Sequence, residues 1–234
     1  MHVLAIGCHP DDIEIGCGGT LAKLSKMGHQ VAMCHVASGD KGHMIIPPEE
    51  LSIIRDKEAR NAGELIGAQV VNLAIPDLEV NSNSEQLILA MVEVIREVRP
   101  DYIITHAPND YMKDHMEVTK AVFDASFTAS VPRFTTNKAH ISHIPPIYYM
   151  DTLAGVGFLP TEYVDISTTI ELKLQMINCH QSQVKWLKEH DGIDFLDSVR
   201  TISKFRGLQS DVAFAEGFTQ CQAWHRLTTQ RLLP

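Results

Sequence analysis

The eight residues His9-Pro10-Asp11-Asp12-Ile13-Glu14-Ile15-Gly16 constrain this chain more than any other stretch. They follow directly on Val3-Leu4-Ala5-Ile6, an apolar run that reads as a short buried strand. An imidazole and two carboxylates are thus packed together at a strand end. Gly16-Cys17-Gly18-Gly19-Thr20 is then expected to turn the backbone into a helix running from about Leu21 to Gly28. Strand, reactive loop and helix open an α/β unit with its chemistry at the carboxyl edge of a sheet.

The rest of the chain repeats this alternation. Strands are expected at 30–36, 70–75 and 102–105, and helices from Pro47-Pro48 to about Ile66 and from about Met116 to Ala129. Between them Ser84-Glu85-Gln86-Leu87 caps a helix whose Leu87, Met91, Val94, Ile95 and Val98 share one face. The pattern predicts a Rossmann-like, doubly wound, mostly parallel α/β sheet with helices on both faces. Beyond Val131 it becomes less regular, with strands at 147–150 and 163–166 and helices at 170–189 and 193–205. No linker separates these parts, so residues 1–234 read as a single domain with a C-terminal elaboration.

Composition excludes several function classes. A net charge of −9 argues against a nucleic-acid partner, because phosphate binding needs clustered cations. No apolar run approaches a membrane span, and the start does not read as a secretory signal. The five cysteines (8, 17, 34, 179, 221) are scattered without a Cys-x-x-Cys, which is the pattern of reduced thiols in a cytoplasmic protein.

In a sheet ordered 3-2-1-4-5, strands one and four lie side by side where the winding reverses, and ligands bind there. The loop after strand one carries His9 to Asp12. The loop after strand four carries Asp110 to His115. His9 and Asp12 can both face one ion, with His115 a third ligand from the opposite wall. Three nitrogen and oxygen ligands with one open position suit catalytic zinc, or another divalent cation. Asp11 then remains free to take a proton from water. The bland alternative is that Asp11-x-x-Glu14 forms a capping box, or that Asp12 merely caps the next helix.

His-Pro-Asp-Asp-x-Glu-x-Gly-Cys-Gly-Gly-Thr, followed later by Asn-Asp-Tyr-x-x-Asp-His, resembles the PIG-L / LmbE-like zinc-dependent N-deacetylases. The resemblance takes in Arg55-Asp56-Lys57-Glu58-Ala59, Gly63-Glu64-Leu65-Ile66-Gly67 and Cys179-His180-Gln181-Ser182-Gln183. It implies zinc at His9, Asp12 and His115, Asp11 as general base, and Arg55 as a fork for sugar hydroxyls or a carboxylate, with a surface ion-pair former the equal alternative for Arg55. The implied substrate is a small N-acetyl amino-sugar compound. Family members are often assembled, so a homo-oligomer is open.

One position departs from the family pattern. The second motif usually reads His-Pro-Asp-His, whereas this chain has Met112-Lys113-Asp114-His115. A thioether has no proton to give an oxyanion or a leaving amine. Asp114, a catalytic candidate, is then expected to orient His115 or to cap the following helix. Tyr111, His43, His106 and His180 are candidates for the missing function, with Tyr111 and His180 also assigned to substrate binding. Two rival readings stay open: hydrolysis of a different amide or acyl group, and a non-catalytic metal- or glycan-binding protein.

Overall fold

The computed structural model describes residues 1–234. β1 (His2–Gly7), α1 (Asp12–Lys26), β2 (Gln30–Ala37), α2 (Pro48–Glu64), β3 (Gln69–Ile75), α3 (Glu85–Val98), β4 (Tyr102–Thr105) and α4 (Lys113–Thr128) alternate as the sequence predicts. β5 (Ile147–Met150), β6 (Glu162–Asp165), α5 (Ile170–Asn178), α6 (Gln181–Trp186), α7 (Phe195–Gln209) and β7 (Ala215–Gln220) follow. The seven strands form one sheet in the order β3-β2-β1-β4-β5-β7-β6. The first five are parallel, and β7 pairs antiparallel with β5 and β6.

Burial on both faces explains why β1 is almost wholly apolar. Val3 and Ala5 enter one core with Ile13 and Leu21 of α1, Ile177 of α5 and Phe195 of α7. Leu4 and Ile6 enter the other with Met91 of α3 and Val122 of α4. This alternation follows from the two-residue period of a strand. Because β1 lies between β2 and β4, the loops leaving β1 and β4 meet at the carboxyl edge of the sheet.

Three elements differ from the sequence expectation. The helix expected from Leu21 begins at Asp12 and takes in the whole glycine-rich segment. Those glycines serve close packing. A Cβ on Gly19 would stand 2.8 Å from Ile166 Cδ1, and one on Gly16 2.5 Å from Met150 Sδ. The single helix expected over 170–189 is broken at Cys179-His180, where His180 leaves the helical region with φ −82° and ψ 58° and buries its ring. A π turn at Leu187–Asp191 then ends the segment.

Finally, β7 was not expected, because Ala-Glu-Gly-Phe-Thr-Gln lacks an apolar run. Its Glu216 is buried and meets Lys173 at 2.6 Å while accepting the Gly19 and Thr20 amides. All five cysteines are free. No helix is long and apolar enough to cross a membrane.

Candidate functional site

The loop leaving β1 turns sharply at Asp11, whose φ of 120° and ψ of −27° lie in a region that only glycine adopts readily. Such a conformation costs of order 1–3 kcal/mol and persists where the surroundings impose it. The Asp11 side chain makes no capping hydrogen bond, so the capping-box reading fails. Its carboxylate instead meets Arg55 Nη2 at 3.1 Å. Asp12 is the first residue of α1 and accepts the His9 amide at 2.7 Å.

Arg55 projects from α2 and is spent on protein groups. Besides Asp11 it donates to the Pro10 carbonyl and, at 3.3 Å, to that of Gly39. Gly39, at φ +72°, must be glycine because a Cβ would fall 2.6 Å from Arg55 Cδ. Arg55 lines the cavity described below, but as a clamp between the Asp11 loop and residues 38–42. A free fork for sugar hydroxyls is a poor description of it.

Asp12 Oδ2 is the hub of the site. It lies 3.2 Å from His9 Nδ1, 3.2 Å from His115 Nε2 and 3.5 Å from His106 Nε2. Cys8, His9 and Asp12 form one group of donors within 4.8 Å of one another, and Asp12, His106 and His115 another. The expected trio is thus divided between two groups that share Asp12.

Chemistry removes the other two members. Burial pushes the Cys8 thiol up to about 12, which disfavours the thiolate that binds an ion. His106 Nε2 already accepts the Cys8 amide at 2.9 Å, which engages the lone pair that an ion would need. What remains is His9, Asp12 and His115.

His115 carries the clearest sign of a metal ligand. Its Nδ1 meets Asp110 at 3.0 Å, while its buried Nε2 has no hydrogen-bond partner. A carboxylate behind one ring nitrogen with the other left bare is how metal-binding histidines are held. Ligands at about 2.0–2.1 Å from a tetrahedral ion stand roughly 3.3 Å apart. The two separations around Asp12 Oδ2 are of that size, while His9 and His115 do not share one donor group. The donor types fit a divalent cation, and the two rings must close on each other to hold one.

Charge agrees with this. Against the effect of its burial, His115 and His9 hold the Asp12 carboxyl well below the usual range. Burial raises that of Asp11 to about 6, with Arg55 opposing.

Asp114 takes a different place from the one expected. It neither faces His115, which Asp110 holds, nor caps α4, whose N-cap is Met112 without a side-chain bond. One carboxylate oxygen accepts the Leu78 amide at 2.7 Å and lies 3.6 Å from His9 Nε2. Asp114 therefore stands beside His9 as a charge neighbour, a looser contact than the hydrogen bond by which Asp110 holds His115.

Tyr111 is exposed, does not line the cavity, and donates its hydroxyl to the Leu153 carbonyl at 3.3 Å. His180 is fully buried, 3.0 Å from Glu14, and does not line the cavity either. His43 accepts the Ile45 and Ile46 amides. His9 is thus the cavity's only histidine, and no candidate stands in for the absent one. Met112 does line the wall.

The cavity opens beside Asp11 and Asp12 with a volume of about 820 Å³. Three of its acids, Asp77, Asp151 and Asp197, escaped sequence reasoning. Asp77 accepts the Gly39 and Lys41 amides and shapes the loop over His9. Asp151 meets Arg206 at 2.6 Å and keeps its buried Oδ1 unpartnered. Asp151 directly follows β5, so the carboxyl-edge rule that found His9 could have found it.

Comparison with known proteins follows the same lines. Diacetylchitobiose deacetylase of Thermococcus kodakarensis is 29% identical over 226 residues, 92% of this chain and 81% of that one. The structure of N,N'-diacetylchitobiose deacetylase from Pyrococcus horikoshii superposes with a TM-score of 0.78 at 27% identity, covering 94% of this chain and 83% of that one. The 4-carboxy-2-hydroxymuconate hydratase of Pseudomonas putida superposes at 0.84 over 99% of this chain and 100% of that one. At 19% identity, that match speaks for the fold alone. The family model described as "PIG-L: GlcNAc-PI de-N-acetylase" matches residues 4–126, which include the Asp11–Asp12 and Asp110–His115 loops, and the chain belongs to that family.

Proposed function

We propose that this chain is a metal-dependent N-deacetylase of a small amino-sugar compound, with zinc in the site formed by His9, Asp12 and His115. The observation that carries the reading is the bare, buried Nε2 of His115 beside the Asp12 carboxylate, next to Asp11 in an open cavity. Two imidazoles and a carboxylate are a donor set that suits zinc. Such an ion, when bound, supplies Lewis-acid polarisation of a carbonyl and acidifies water.

The chain's own residues do the rest. Asp11 accepts a proton from the water that attacks the acyl carbon. It returns that proton to the departing nitrogen as the carbon–nitrogen bond breaks, leaving acetate and a free amine. Arg55 holds the Asp11 carboxylate in place. Asp110 fixes His115 by a hydrogen bond, and Asp114 lies 3.6 Å from His9.

The lining holds Asp11, Asp12, Asp77, Asp151 and Asp197 against Lys41 and Arg55, and a divalent cation beside Asp12 adds the positive charge that receives the acetate product. The sheet runs unbroken from β1 to β7, which supports one domain, and five free thiols support a cytoplasmic location.

Acetate release from a panel of N-acetyl amino sugars by zinc-loaded protein tests the proposal. Release from at least one compound, abolished in Asp11→Asn, is expected. No release from any compound would overturn it.

A further inference from the structure

The cavity does not end at the side chains around Asp12. Its far wall is α7, which turns Phe195, Val199 and Ile202 inward at helical spacing. Leu153, Leu187 and Ile193 line it as well, as does Ile15, one turn along α1 from Asp12. The two serines of this wall are turned away from a ligand. Ser198 Oγ donates to the Asp194 carbonyl and Ser203 Oγ to that of Val199, both at 2.9 Å.

The wall is held at both ends. Asp194 caps α7 by accepting the Asp197 amide at 3.1 Å, and near the other end Arg206 is locked to Asp151. At about 820 Å³ the cavity lies high in the range of roughly 300–1,000 Å³ for small-molecule sites. Asp197 and Thr201 also line the cavity from α7, but against the stretch formed by Phe195, Val199 and Ile202 a hydroxyl-rich ring would lose water without gaining partners. An apolar group there would be favoured.

We infer that this arm is a subsite for an apolar group on the substrate, an alkyl or aryl chain carried on the sugar or in the acyl group. The inference rests on the amino-sugar reading above and adds a substrate class to it. Asp11 and Asp12 would act on the amide at one end while α7 holds the chain at the other.

Calorimetric titration of zinc-loaded Asp11→Asn protein, which halts turnover, tests it with two series below their micelle concentrations. One is methyl, butyl and octyl glucosaminide; the other is N-acetyl, N-butanoyl and N-octanoyl glucosamine. In at least one series Kd should fall, by up to about fourfold per buried methylene. The heat-capacity change should grow more negative. A rise with the glycosides assigns the arm to the sugar's substituent, and a rise with the amides assigns it to the acyl group.

Ile202→Ser and the more exposed Ile193→Ser, each added to that protein, should reduce the ratio of longest- to shortest-chain affinity. Flat affinities in both series, or a ratio unchanged in both variants, would overturn the subsite. Acetate release by wild-type protein separates the two readings. Release with flat affinities removes the subsite and keeps the deacetylase; rising affinities without release do the reverse.

Discussion

His115 gives one ring nitrogen to Asp110 at 3.0 Å and keeps the other bare, buried and 3.2 Å from Asp12. A histidine tethered in this way has a fixed tautomer and a lone pair aimed at one point. Asp110→Ala should therefore weaken zinc affinity by about 10–100-fold, the usual cost of losing such a support. Competition with a chromogenic chelator measures it. Affinity equal to wild type would show that Asp110 does not orient the ligand.

The contact between Arg55 and Asp11 predicts a pH profile. Burial raises the Asp11 carboxyl to about 6 while Arg55 favours its charged form. The base must be ionised, so kcat/KM should fall as pH drops through that region. Arg55→Met removes the favouring charge and should move this acidic limb to higher pH, with Arg55→Lys restoring part of the shift. An unmoved limb in Arg55→Met would mean that Arg55 does not act through Asp11.

His180 and Glu14 form a pair with no solvent exposure, 3.0 Å apart. His180→Ala leaves a buried carboxylate alone and should cost about 3–5 kcal/mol in urea unfolding. Substrate KM should not change, since the ring lies outside the cavity. Against their burial, the partners raise His180 above 6.5 and lower Glu14 below 4.5. The Glu14 contribution is present above 4.5 and lost as pH falls through its lowered value. That of His180 is present below 6.5 and lost as pH rises through its raised value. The difference in stability between wild type and His180→Ala should therefore be largest between these two pH values, and a flat difference would contradict the pairing.

Packing at Gly19 predicts a sign opposite to helix propensity. Alanine in a helix gains about 1 kcal/mol over glycine. Here its Cβ would meet three atoms of the branched Ile166 side chain between 2.8 and 2.9 Å. Overpacking of this kind costs about 1–3 kcal/mol. Gly19→Ala should lower the unfolding midpoint, and a raised midpoint would show that α1 can move off residue 166.

The strand order and the convergence of two distant loops were legible because both follow from local signals: buried strand runs, and chirality at the switch point. Which carboxylate meets which histidine was not. Asp110 and Asp114 stand five and one residues before His115, and the loop-to-helix junction between them reverses what spacing suggests. Arg55 read equally as a substrate fork or a surface ion-pair former, because nothing in its helix names Pro10, Asp11 and Gly39 as partners. The glycines of α1 read as a turn because the neighbours that require them, Met150 and Ile166, come more than a hundred residues later. β7 was hidden because its burial depends on an ion pair with Lys173, another long-range fact.

Metal content per chain across three proteins bears most directly on the whole account. After zinc loading and desalting, wild type and Asp11→Asn should each retain one ion per chain by elemental analysis, and His115→Ala should retain none. Wild type without zinc, or His115→Ala with a full complement, would contradict the account.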